Sequence, residues 1–386
     1  MKKKNILFLA NSYKNYMGGI YYIKNMAYAL TQCDEARDAY NIFILVAKDS
    51  AYVYEHLLKE PNVHLIYTNM ESKINAIKYK VMSYYYFLKT GKSITNGLDS
   101  KVVKKNKIDI IFPLYEDCRF QNKGILWIPD FQHLHYPEFF PKDKLKEREE
   151  SYDKYIRLAK TIVLSSKDAY CDYTDRFGSL NKDVFIVPFV SEISEYRNID
   201  LLRKKYKLPE KFFIVSNQFY SHKNHIVVFK ALAEAKARGY NDITIVCTGL
   251  MEDNRNPQYI DELNKIIKKY ELKINLLILG LIPREDQLGL IKGSVAVIQP
   301  SLFEGWSTVV EDAKSLRQNL VLSDIDVHFE QRLDNCIFFK RNDYLELAEI
   351  LIGIWSGSIK FKVSGYRYEE YAKDYGKRFF DAIESR

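Results

Sequence analysis

Short apolar runs rich in β-branched residues alternate along the chain with longer stretches whose apolar positions recur every three or four residues. In the first half, NILFLA (5–10), NIFILVA (41–47), VHLIY (63–67), IDIIF (108–112), ILWIP (125–129), TIVLSS (161–166) and VFIVPF (184–189) predict strands. The rhythm then restarts with FFIVSN (212–217), ITIVCTG (243–249), INLLILG (274–280), VAVIQPS (295–301), NLVLSD (319–324) and NCIFFK (335–340). A strand apolar at every position is buried on both faces, the condition of a parallel sheet covered by helices. HIVVFKALAEAKARG (225–239) and PQYIDELNKIIKKYEL (257–272) have the helical spacing that supplies such covers. Two successive strand-and-helix series predict two doubly wound α/β domains, over 1–195 and 196–360. The polar stretch SEISEYRNIDLLRKKYKLPE, near 190–210, is the expected linker. After the second series, YRYEEYAKDYGKRFFDAI predicts a C-terminal helix within 361–386 that packs back on the first domain.

A length of 386 residues exceeds the range over which one hydrophobic core keeps growing, in keeping with two domains. Hydrophobic residues at 47% and charged residues at 28% describe a packed globular chain. The five cysteines, at 33, 118, 171, 247 and 336, form no C-x-x-C pair, which argues against a disulfide framework or zinc site and for a reducing cytoplasm. The apolar run in MKKKNILFLANSYK is too short for a signal sequence or a membrane span and reads as a first strand. A net charge of +8 implies diffuse affinity for anions. Part of it is concentrated between Lys73 and Lys107, where nine lysines interleave with tyrosines, phenylalanine and methionine. That mixture suits the inner face of an anionic membrane. A helix with Tyr84, Tyr85, Tyr86 and Phe87 turned partly to a core gives the same pattern. No helix-turn-helix, RNA-binding-sheet or zinc-finger pattern accompanies the charge, so nucleic acid is not an expected partner.

In doubly wound sheets ligands sit beyond the carboxyl ends of the strands, so the loops after Ala10, Asn217, Gly249, Gly280 and Ser301 hold the candidate chemistry. After VAVIQPS, the loop LFEG delivers Glu304, and WSTVVEDAKSL has helical spacing that puts Ser307 and Thr308 at a helix start. Unpaired amides and a positive dipole end there make an anion site suited to a diphosphate. Asp312, about one turn deeper, is placed to accept from a ribose diol, and Glu304 to bond hydroxyls of a sugar beyond the phosphates. Taken alone, the spacing E-x7-D also fits an ordinary N-cap with surface acids.

The longer stretch PSLFEGWSTVVEDAKSLRQNLVLSDIDVH resembles the nucleotide-sugar site of the GT4 group of retaining glycosyltransferases, whose members carry Glu-x7-Glu there. LPEKFFIVSNQFYSHKNHIVVFKAL resembles the first strand and loop of that family's C-terminal domain, and GLIPREDQLGLIKGSVAVIQPS the segment before its acidic motif. MGGIYYIKNMAYAL resembles its glycine-rich loop near the N-terminus. The resemblance implies a GT-B fold, two Rossmann-like doubly wound parallel-sheet domains facing a cleft, with the nucleotide sugar on the second and the acceptor on the first.

Carried over residue by residue, the resemblance makes Lys223 the cation that neutralises the donor diphosphate and Glu304 its catalytic partner. Gly305, Trp306, Ser307, Thr308 and Asp312 become donor contacts, with base recognition at the loop of Ile282. Gly18 and Gly19 allow close backbone approach to the transferred phosphate or sugar. Two positions depart from the family. Gln218 stands where an arginine is frequent, and Asp312 replaces glutamate, which lengthens the ribose contact, routes it through water, or hands it to Glu311. WIPDFQHLHYPEFF (127–140) resembles the acceptor loop; Pro129 stands at the family histidine, and His133 or His135 substitutes, His133 being favoured for its neighbours Asp130 and Gln132. Asp324-Ile325-Asp326 matches a D-x-D metal pattern but falls in a strand-to-helix connection, so no metal and no other cofactor is expected. The expected activity is sugar transfer from a nucleoside diphosphate to a hydroxyl of a saccharide or lipid-linked saccharide, in surface polysaccharide or glycolipid assembly. Nucleotide-sugar epimerisation or hydrolysis, or idle sugar-nucleotide binding within an assembly complex, are the alternatives.

Overall fold

The computed structural model describes residues 3–10, 17–68, 73–91, 93–95, 98–193, 195–253 and 255–385. Each predicted apolar run overlaps a strand: β1 (Lys4–Leu9), β2 (Tyr40–Val46), β3 (Val63–Tyr67), β4 (Ile110–Phe112), β5 (Ile125–Ile128), β6 (Thr161–Leu164) and β7 (Asp183–Ile186), then β8 (Phe213–Ser216), β9 (Ile245–Thr248), β10 (Leu276–Ile278), β11 (Val297–Gln299), β12 (Leu320–Ser323) and β13 (Cys336–Phe339). The chain divides into two units. The first comprises Met1–Phe131, Lys146–Val190 and Glu369–Arg386; the second comprises Gln132–Leu145 and Ser191–Tyr368.

In the first unit the strands run in the orders β3-β2-β1-β4 and β5-β6-β7, all pairs parallel. A parallel bridge between Ile111 and Gly124 and the Leu114 amide donating to the Ile125 carbonyl at 2.8 Å join the two sets. Residues of the helix Tyr368–Glu384 complete this unit. Phe379 lies 4.8 Å from Phe112 and 6.1 Å from Phe8, ring centre to ring centre, and Lys4 pairs with Glu384 at 3.0 Å.

The second unit has one parallel sheet in the order β10-β9-β8-β11-β12-β13. Its faces are buried separately. Phe213 and Val215 of β8 enter a core with Val228, Leu232 and Leu351, while Ile214 enters another with Leu290, Val310 and Leu322. That two-sided burial is why the strands read as unbroken apolar runs.

Two expectations are corrected here. The stretch near 190–210 is no bare linker but packs on the second unit: it holds the helix Ile199–Tyr206 with Leu202 buried, and Lys205 and Arg197 pair with the buried Asp286 at 2.5 and 2.7 Å. Residues 132–145, placed by pattern with the first half, lie in the second unit. Among the described residues no helix is long and apolar enough to cross a membrane.

Candidate functional site

Strand order in the second sheet reverses between β8 and β11, since β9 and β10 follow β8 to one side and β12 and β13 follow β11 to the other. Ligands in such sheets bind beyond the carboxyl ends of the strands at this reversal. The loops leaving β8 and β11 carry Lys223 and Glu304 to that point.

The β8 loop is held at several places. Asp253 accepts from the amide and hydroxyl of Ser221, both at 2.8 Å, and the Leu302 amide donates to the His222 carbonyl at 2.7 Å. Those bonds fix the short turn Ser221–Lys223 against the β11 loop. Gln218, expected as a donor contact with one cation lost, instead accepts from the Leu250 amide at 2.9 Å and ties the β8 loop to the β9 loop. Gly249 makes that approach possible. Its φ is +110°, and a Cβ there would come within 2.2 Å of the Asn217 carbonyl oxygen. Gly249→Ala should therefore cost about 1–3 kcal/mol in backbone strain and displace the Asn217–Gln218 turn. Urea denaturation together with calorimetry of nucleoside diphosphate binding reads both effects.

Glu304 is buried, and one oxygen gathers three donors: the Lys223 ammonium at 2.6 Å, the Ser301 hydroxyl at 2.6 Å and the Gln299 side-chain amide at 2.8 Å. Gln299 in turn accepts from Asn217 at 2.8 Å, bridging the ends of β11 and β8. Burial alone would raise the Glu304 carboxyl, but the Lys223 charge and the hydrogen bonds from Lys223 and Ser301 outweigh it and hold the group at about 2. Three buried imidazoles accompany the pair. Burial, then the neighbouring Lys223 charge, lowers His222 to about 3 against an opposing pull from Glu304. The same two causes bring His225, stacked 4.0 Å from Phe219, to about 3. Burial also lowers His328 to about 4 although Glu304 pulls it upward. All three are neutral at pH 7.

Ser307 caps the helix Thr308–Ser315, its hydroxyl accepting from the Val310 amide at 3.4 Å. Its own amide donates to Gln331 at 3.1 Å. The anion cradle expected at this helix start is thus partly filled by side chains of the protein. Gly305, Trp306 and Thr308 are half-buried beside it. Asp312, expected to face a ribose, is fully buried, and both its oxygens are held by the Arg284 guanidinium at 2.5 and 2.7 Å, with Ser191 donating at 2.5 Å. Of this pair Arg284 is the accessible member, its side chain 19% exposed against 0% for Asp312. Glu311 does not replace it, because it turns to Lys314 and Gln331, both at 2.8 Å. Ile282 is half-buried and packs against the core under β8.

Segment 132–145 lies on the same loops. The Tyr136 hydroxyl donates to the Leu302 carbonyl at 3.1 Å, and the His135 ring lies 5.2 Å from Phe303, next to Glu304. His133, favoured from sequence, is buried, while His135 is exposed. Gly18 and Gly19, by contrast, belong to the first unit and open the helix Met17–Gln32; most of the loop before them, 11–16, lies outside the described residues. Asp324 is engaged by Arg341 at 2.9 Å, and Asp326 begins the helix Asp326–Gln331, which separates the two acids of the D-x-D pattern. Among the described residues no three His, Cys, Asp or Glu side chains gather as a metal set.

Arg284, Gln299 and Ser301 went unrecognised in the sequence. Gln299 did leave a signal, a polar residue inside the otherwise apolar run VAVIQPS; Arg284 left none without its partner.

Residues 198–360 match the family described as glycosyl transferases group 1. No curated protein matches the chain in sequence. Among solved structures, the chain is similar to Anabaena Alr3699/HepE in complex with UDP and glucose, at TM-score 0.60 and 16% identity, covering 99% of this chain and 96% of that one. Sucrose-phosphate synthase from Thermosynechococcus elongatus is similar at TM-score 0.60 and 12% identity, over 99% and 94% of the two chains. WaaG, a glycosyltransferase involved in lipopolysaccharide biosynthesis, is similar at TM-score 0.56 and 12% identity, over 98% of each. At such identities the likeness speaks for the fold, which is GT-B.

Proposed function

We propose, for a chain whose residues 198–360 match the family described as glycosyl transferases group 1, transfer of a glycosyl group from a nucleoside diphosphate donor to a hydroxyl of a saccharide or lipid-linked saccharide, with retention at the anomeric carbon. The observation that carries it is the Lys223–Glu304 pair, 2.6 Å apart where the strand order reverses. In the reaction the anomeric C–O bond to the diphosphate breaks as the acceptor oxygen bonds to the same carbon. Negative charge grows on the leaving diphosphate, and Lys223 together with the helix start at Ser307 meets it. The acceptor proton passes to a diphosphate oxygen, on the same face of the sugar. Glu304, once Lys223 turns to the diphosphate, holds sugar hydroxyls. Arg284 meets the nucleoside side, with Asp312 as its positioning residue. His135, rather than His133, is the imidazole proposed for the acceptor. With cationic side chains and amides doing the neutralising, this chemistry needs no metal. Its proposed setting is cytoplasmic assembly of surface polysaccharide or glycolipid.

Incubation with UDP-, GDP- and dTDP-sugars, with and without a panel of saccharide and lipid-linked acceptors, tests the proposal. The expected result is nucleoside diphosphate release that depends on acceptor, with a glycosylated product. Equal donor turnover without acceptor indicates epimerisation or hydrolysis, and donor binding by calorimetry without turnover indicates an idle binding protein; either outcome replaces the proposal.

A further inference from the structure

We propose that the helix Lys73–Thr90 lies in the plane of an anionic phospholipid bilayer and seats the first unit on it. Tyr79, Met82, Ser83 and Tyr86 are half-buried and share one arc of the helix. That arc faces Arg119, whose guanidinium sits 5.8 Å from the Tyr86 ring centre and is itself held by Asp117 at 2.6 Å. The opposite arc has the wrong chemistry for water. Ile77, Val81, Tyr84 and Leu88 are 62, 63, 64 and 66% exposed. Their spacing of i, i+4, i+7 and i+11 gathers them within about 60° of the helix circumference. Tyr85, Lys78 and Lys89 flank this ridge on one side and Lys80 and Phe87 on the other, all exposed. The helix KINAIKYKVMSYYYFLKT contains no acidic residue.

An apolar ridge rimmed by lysines and tyrosines is the profile of a helix lying at a headgroup boundary, its rings at the interface and its ammonium groups reaching lipid phosphates. A second copy of the chain is the other occupant an apolar ridge invites. Pairing two such helices would set lysine rim against lysine rim, whereas an anionic leaflet complements them.

Co-sedimentation of the full-length protein with vesicles of phosphatidylcholine, with and without phosphatidylglycerol, tests the docking. It reads out whether or not sugar transfer is found. Binding is expected to need the anionic lipid and to weaken with salt. Lys78→Gln, Lys80→Gln and Lys89→Gln together should lower partitioning about 100-fold, roughly fivefold for each charge. Val81→Ser with Leu88→Ser should abolish it, with the thermal midpoint unchanged in both sets. Equal partitioning onto phosphatidylcholine alone, partitioning onto neither, or a dimer in sedimentation velocity that the Val81→Ser, Leu88→Ser pair dissolves would overturn the proposal.

Discussion

Replacing Lys223 with alanine is expected to slow sugar transfer about 100- to 1,000-fold, the range for losing one donor aimed at developing charge. The same change should destabilise the fold by about 3–5 kcal/mol, because it strands Glu304, a buried carboxylate held at about 2 chiefly by that ammonium. Ser301 and Gln299 still donate to Glu304 and soften the loss without supplying a countercharge. Glu304→Gln separates the two effects. A glutamine oxygen accepts from the same three donors, so the fold should survive, while the grip on the transferred sugar weakens and kcat drops. Initial rates with saturating donor, beside urea denaturation of both variants, give the comparison. A Lys223→Ala enzyme with unchanged kcat would remove this lysine from the chemistry, whatever its effect on folding.

Acid should unfold the second unit early. His222 and His225 stay neutral to about 3 and His328 to about 4, against an ordinary value of 6.5. Below pH 6.5 the unfolded chain therefore takes up protons that the folded chain refuses, and stability falls as pH falls. The slope is about 1 kcal/mol per pH unit for each imidazole, reached about one unit below 6.5. Glu304 adds to the loss in a lower window. Its carboxyl is depressed from 4.5 to about 2, so its contribution is complete above 4.5 and disappears as pH descends through about 2. Urea midpoints at a series of pH values from 7.5 downward read the slope. His225→Phe is the sharpest variant: among the described residues neither ring nitrogen of His225 has a hydrogen-bond partner, and its stack on Phe219 suits a phenyl ring. It should flatten the slope by about a third. Stability that stays level down to pH 5 would show these imidazoles to be hydrated.

Strands such as β5, β6, β8 and β12 were legible because every residue in them is buried, so apolarity marked them without help from periodicity, whereas β3 and β7 are only partly buried. The likeness to glycosyl transferases group 1 was legible through the segment around Glu304 and Lys223, which the family match covers. Pairings across elements were not. Asp312 reads as an exposed acid until Arg284, on another helix, is seen to take both its oxygens. The helix Ile199–Tyr206 hid inside a polar stretch because it buries chiefly one residue, Leu202, and anchors by charges on Asp286. Segment 132–145 is aromatic in sequence, but nothing in its pattern says that Tyr136 and His135 will meet Leu302 and Phe303, over 160 residues downstream.

Because the first unit draws on Met1–Phe131, Lys146–Val190 and Glu369–Arg386, its assembly cannot keep pace with synthesis. As translation passes residue 190, all seven of its strands exist, yet Phe8 and Phe112 still lack the ring of Phe379 that packs against both. The second unit emerges during that wait and can finish first. A nascent chain arrested before residue 369 would thus expose a greasy, half-closed sheet, a natural handle for chaperones and a natural seed for aggregates.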